Sequence, residues 1–157
     1  MILKLRTILF VALLLLSVLP ALCRAQSIVR QYSYIEAWGN TGTWSGNYDY
    51  VAKNGLGYRL GFTGKPDSEF VRDLGVVGTV NYLIGYSPHK LELGAGGYFE
   101  MNTSTHSSKA FYTLTIGYRL VPRESKWMFR IGFTPNFNHD SFYPRMGLSV
   151  GRLIEFD

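Results

Sequence analysis

From Gln26 onward, apolar side chains return at every second residue in segment after segment, and no stretch sustains a 3.6-residue helical period. Successive side chains of a strand point to opposite faces, so a chain patterned this way separates its greasy and polar residues only when extended. Trp127, Phe129, Ile131 and Phe133 share one face, with Met128, Arg130, Gly132 and Thr134 on the other. Tyr112, Leu114, Ile116, Tyr118 and Leu120 likewise oppose Thr113, Thr115, Gly117 and Arg119, and Leu56, Tyr58, Leu60 and Phe62 oppose Gly57, Arg59, Gly61 and Thr63. Leu91, Leu93, Ala95 and Phe99 are set against Glu92, Gly94, Gly96, Tyr98 and Glu100. Met146, Leu148, Val150, Ile154 and Phe156 are set against Gly147, Ser149, Gly151 and Glu155, with Arg152 out of place on the greasy face. The first two strands are less decisive; in the first, Tyr34, Glu36 and Trp38 lie on one side and Ile35 and Ala37 on the other.

Clusters of Gly, Asn, Pro, Asp and Ser punctuate these segments and predict about eight strands, near residues 31–40, 43–52, 55–64, 75–86, 89–101, 109–120, 126–137 and 142–156. Short links at Lys53–Gly55, Ser87–His89 and Val121–Lys126 alternate with longer polar ones at Gly64–Asp73, Asn102–Ser108 and Asn136–Pro144, although the Asn40–Gly42 link is also short. Tight turns on one rim, longer loops on the other and both chain ends on the periplasmic side form the pattern of a transmembrane barrel. The fold class expected is therefore all-β, an antiparallel up-and-down transmembrane β-barrel.

Alternation alone fits a soluble lipocalin-like barrel equally well, because that barrel only reverses which face is apolar. Charge placement separates the two. Lys53, Lys65, Lys90, Lys109 and Lys126 all fall in turns or at strand ends, where a water-facing wall would hardly confine them. The mid-strand charges are Glu36, Asp49, Glu92, Glu100 and Glu155 with Arg59, Arg119, Arg130 and Arg152, nearly balanced in sign and suited to an interior ion-pair network. Gly, Ser and Thr complete that face, as an eight-stranded lumen filled by its own side chains requires. Trp38, Trp44 and Trp127, with Tyr32, Tyr82, Tyr86 and Phe142, stand near strand ends, where interfacial aromatic girdles form.

The first 25 residues read as an export signal. Lys4 and Arg6 precede an apolar run from Ile8 to Leu16, which ends at Pro20 with small residues at Cys23 and Ala25. The run is shorter than the roughly 20 residues of a membrane-spanning helix. Leu22, before Cys23, argues against a lipoprotein site, so cleavage is expected after Ala25 and residues 26–157 form the barrel domain. Loss of Lys4, Arg6 and Arg24 lowers the net charge from +5 to 5 − 3 = +2, which removes the basis for a nucleic-acid partner. The only cysteine leaves with the signal, so the barrel holds without disulfides or thiolate chemistry.

Trp127–Pro135, Met146–Gly151, Ala37–Gly42 and Asn47–Tyr50 together resemble small outer-membrane barrel proteins of Bacteroidota, and the likeness covers most of the mature chain. The resemblance implies location and fold and leaves the activity open. Such barrels usually end in an aromatic read by the insertion machinery; here Phe156 is followed by Asp157. The partners expected are outer-membrane lipids and lipopolysaccharide, with the insertion machinery during biogenesis.

One constellation has the look of an enzyme. His139-Asp140-Ser141, with Glu155 following, is similar to the His-x-Ser pair and later glutamate of outer-membrane lipid A deacylases, in which a histidine takes the serine proton and a carboxylate orients it. These residues lie in a loop beside Asn136 and Asn138, where small polar residues belong in any case. His89 and His106 lack a partner at metal-ligand spacing, and the Gly94–Gly97 cluster lacks the helix and lysine of a phosphate loop. No catalytic, cofactor-binding or metal residue and no cofactor are assigned; the remaining binding surface is the loops, where Phe70–Arg72 and Phe142–Tyr143 offer apolar contacts. N-terminal sequencing of the exported protein is expected to begin at Gln26.

Overall fold

The computed structural model describes residues 30–66, 71–86, 88–122 and 125–154; the expected signal, Phe70 and the Glu155–Asp157 end lie outside these. The strands are β1 (Arg30–Ala37), β2 (Trp44–Val51), β3 (Leu56–Pro66), β4 (Val71–Ile84), β5 (His89–Asn102), β6 (Ser107–Leu120), β7 (Trp127–Phe133), β8 (Asn136–Phe137), β9 (Phe142–Tyr143) and β10 (Met146–Ile154). All pair antiparallel. Each long strand lies beside its neighbours in sequence, β10 pairs with β1, and β5 joins β6, so the sheet closes on itself.

Ten segments make eight barrel strands, because β7 with β8 and β9 with β10 are each one strand interrupted at a proline. Pro135 and Pro144 have no N–H for the ladder. The pairing continues across both breaks in unchanged register, with Ile116 opposite Phe133 and then Thr113 opposite Asn136, and with Asn136 opposite Tyr143 and Phe133 opposite Met146. Thr134 N donates to Arg145 O at 2.8 Å, and Leu114 N to Pro135 O at 3.2 Å, holding the interrupted stretches in place.

Strand lengths differ around the barrel: β1 and β2 have 8 residues each, whereas β4, β5 and β6 have 14. The tight turns lie on the rim where the described chain begins, at Arg30, and ends, at Ile154. In one of them Ala52 N donates to Leu56 O and Gly55 N to Ala52 O, with Gly55 at φ +88°, a conformation that glycine adopts without a Cβ clash.

The polarity of the closed sheet runs opposite to that of a water-soluble barrel. Leu91, Leu93, Ile116, Ile131, Phe133, Leu148 and Val150 are exposed on the outer wall, while Glu36, Glu92 and Arg119 are fully buried. The faces expected for strands 3, 5, 6 and 7 agree with this burial residue by residue. Two aromatic positions behave differently from expectation. Tyr32, placed in a girdle from its position near a strand end, is 2% exposed inside the lumen, since it shares parity with Tyr34 and Glu36. Trp38, expected to share the Tyr34 and Glu36 face, is 64% exposed because β1 ends at Ala37 and φ +59° turns its side chain away from that row.

Inward glycines make room for large lumen side chains. A Cβ on Gly96 would strike the backbone at Gly78 O and Thr79 Cα, whereas one on outward Gly78 would meet nothing within 4 Å. Gly96→Ala is therefore expected to cost about 1–3 kcal/mol, as overpacking does, and Gly78→Ala no more than about 0.5 kcal/mol. Urea unfolding midpoints of the refolded proteins would check both.

Candidate functional site

The lumen is filled in three layers, and each follows from the inward row of the strands. Nearest the chain ends, Tyr32, Tyr34, Val51, Leu83, Val121 and Met128 pack together, with Leu153 against them. Among the described residues this plug is apolar apart from its two tyrosine hydroxyls, one of which, on Tyr34, reaches the next layer.

Beyond the plug lies the ionic layer. Glu92 on β5 is its centre: Oε1 accepts from Arg59 Nη2 at 2.6 Å, and Oε2 accepts from Arg119 Nη2 at 2.7 Å and Arg130 Nε at 2.9 Å. Asp49 pairs with Arg119 at 2.6 Å and with Arg59 at 3.5 Å, and Glu36 accepts from Arg130 Nη1 at 2.5 Å. Arg59 and Arg119 also lie over the rings of Tyr34 and Tyr32, at 5.7 and 5.6 Å from the ring centres, and Tyr34 donates to Asp49 Oδ1 at 3.1 Å. The three carboxylates and three guanidiniums cancel in charge, which makes their complete burial tolerable.

The third layer, at the loop end, is polar, built mainly of amides and hydroxyls with the Arg145 guanidinium among them. The turn between β1 and β2 folds inward, so that Asn40 and Thr41 are 0% exposed. Asn40 Nδ2 donates to Thr113 Oγ1 at 2.5 Å, its carbonyl accepts from Asn136 Nδ2 at 2.5 Å and Arg145 Nη1 at 2.9 Å, and its side-chain oxygen takes Arg59 Nη1 at 3.2 Å. Trp38 N donates to Thr43 O at 2.5 Å, and Gly42, at φ +76°, lies against the Arg145 guanidinium. The short Asn40–Gly42 link, an exception to the long-loop rim in sequence, thus caps the lumen.

Of the charges expected inside, Glu36, Asp49, Glu92, Arg59, Arg119 and Arg130 meet in one network. Glu100 does not join it; it pairs with Lys65 at 2.9 Å and accepts from Tyr98 Oη at 2.5 Å nearer the loops. Arg152 is outward, as its parity requires, and Glu155 lies outside the described residues. Asn40, Asn136 and the lumen tyrosines are participants that charge placement did not reveal, although parity with Glu36 would have found Tyr32 and Tyr34.

The His139 side chain is 98% exposed, and its Nδ1 lies 2.8 Å from Asp140 Oδ1. Ser141 uses its carbonyl to accept from Asn138 N, at 3.0 Å. The strand that follows carries the chain to Ile154 on the opposite rim. The apolar loop pair is partly engaged: Tyr143 meets Phe111 edge-on at 5.8 Å and carries Arg145 over its ring at 5.7 Å, while Phe142 is 62% exposed.

No protein-family model matches the chain, and no curated protein matches it. Among solved structures the fold is similar to the N-terminal β-barrel domain of Pseudomonas aeruginosa OprF, with a TM-score of 0.57 and 10% identity, over 80% of this chain and 96% of that domain. At that identity the likeness concerns the fold.

Removing one member of the ionic layer leaves its partners charged and buried. Arg119→Ala and Arg130→Ala are each expected to destabilise the barrel by about 3–5 kcal/mol, the range found when one partner of a buried ion pair is deleted. Unchanged unfolding midpoints would contradict the geometry.

Proposed function

We propose that the chain is an integral outer-membrane β-barrel with a closed, side-chain-filled lumen, serving a structural or surface-interaction role without catalysis. The observation that carries this reading is the inverted polarity: a continuous apolar outer wall around a charged interior. Along β4 the outward row runs from Leu74 to Ile84. At about 3.3 Å per residue and a tilt near 40° it covers about 25 Å, the height of a barrel's apolar band. Exposed Trp38 and Trp44 at one rim and Tyr82, Tyr86 and Trp127 at the other suit the two interfacial girdles.

Export through a signal ending at Ala25, insertion by the outer-membrane machinery and contact with lipopolysaccharide belong to the same reading, as does kinship with the small barrels of Bacteroidota suggested by Trp127–Pro135 and Met146–Gly151. Surface contacts would use the loop rim, where Phe142 is free to touch a partner. A soluble carrier would need an apolar lumen, and here the middle of the lumen is ionic. A deacylase would need His139 bonded to a serine; its ring nitrogen instead faces Asp140.

Outer-membrane fractions run with and without boiling would test this, because such a barrel keeps its compact form in SDS until heated. A heat-dependent shift is expected; a shiftless protein in the soluble periplasmic fraction would overturn the reading. Ile116→Arg, placing a cation midway along the outer wall, is expected to cost about 2–4 kcal/mol in lipid vesicles, measured by urea unfolding.

A further inference from the structure

Among the strand residues whose side chains are described, the outward rows carry one formal charge, that of Arg152. It follows Met146, Leu148 and Val150 on the outer face of β10 and is itself exposed, next to Trp127 on β7 and Ser33 on β1. No described carboxylate pairs with it. A guanidinium with no described carboxylate beside it, at the edge of an apolar wall, calls for an anion, and its planar fork matches phosphate oxygens.

Arg152 lies at one end of a shallow, open groove of about 600 Å³ across the outside of β10, β1, β2 and β3. Ser33 and Gly46 form its floor, and Trp127, Tyr48 and Phe62 rise around it. A Cβ on Gly46 would meet nothing within 4 Å, so the floor is open space rather than a packing seam. A cation at one end and apolar walls beyond it select an amphiphile with one anionic group. Free phosphate would leave the walls bare, and a hydrocarbon chain alone would leave the cation unpaired.

We infer that this groove holds one phospholipid, its phosphate on the Arg152 guanidinium and one acyl chain lying past Ser33 over Gly46. The site is level with the rim of the chain ends, where headgroups of that leaflet stand, and Trp127 beside it has the amphipathic ring favoured at that depth. The inference rests on the membrane reading above.

Native mass spectrometry of the full mature barrel in neutral detergent, with phosphatidylglycerol added, would test it. One adduct is expected to survive activation that strips the others, and Arg152→Gln and Gly46→Leu are each expected to lower that retained fraction at least tenfold. Gly78→Leu fills equally open space on another part of the wall and is expected to retain it. Equal retention in all four proteins would overturn the site, as would loss in Arg152→Gln alone, which would mean an anion contact without a seated chain. Displacement by millimolar inorganic phosphate alone would also overturn the lipid assignment. The same samples are checked for heat-dependent mobility and flotation with phosphatidylcholine vesicles: a wild type that fails both loses the membrane reading itself, whereas one that passes and binds no lipid selectively loses this site alone.

Discussion

The Glu92 carboxylate is the point on which the barrel turns. It accepts from three arginines on three other strands, and through them it is joined to Asp49 and Glu36, so six of the eight barrel strands meet in one set of charges. Taking such groups out of water costs several kcal/mol per ion, and only the complete arrangement offsets it. A barrel missing one of these strands would leave a charge buried and unanswered. The network therefore adds less to net stability than it adds to uniqueness: strands that closed in a shifted register would turn these side chains onto the outer wall.

Everything else inside the lumen accommodates that layer. The aromatic plug lies against it from one side, with Tyr32 and Tyr34 presenting ring faces to Arg119 and Arg59. From the other side, the inward turn supplies Asn40 to Arg59. Glycines at 61, 94, 96 and 147 sit where a Cβ would collide with a lumen side chain or the facing backbone, so long residues and absent ones alternate across a space with no room for two large groups.

Much of this was legible in the sequence because the period of a strand is two and one face of most strands is predominantly apolar. The faces of the strands carrying Arg59, Glu92, Arg119 and Arg130, and the meeting of these charges inside, follow from parity and sign balance alone. Parity could not show where a strand ends. Trp38 leaves its row through a positive φ, and the turn after it folds inward through contacts with Thr113, Asn136 and Arg145, residues 73 to 105 positions away. Pro135 and Pro144 interrupt two ladders without disturbing register, because the partners on either side hold the pairing. Tyr32 was misread because proximity to a strand end was weighed above its parity with Glu36.

The unequal strands have a geometric result of their own. Six residues separate the 8-residue β2 from the 14-residue β4, β5 and β6, about 20 Å along a strand. One side of the cylinder is thus a low wall and the other a high one, so the loop rim is oblique. The crest of the β5–β6 hairpin stands above the level at which β1 and β2 end, and the capped mouth of the lumen opens toward the low side instead of straight along the axis.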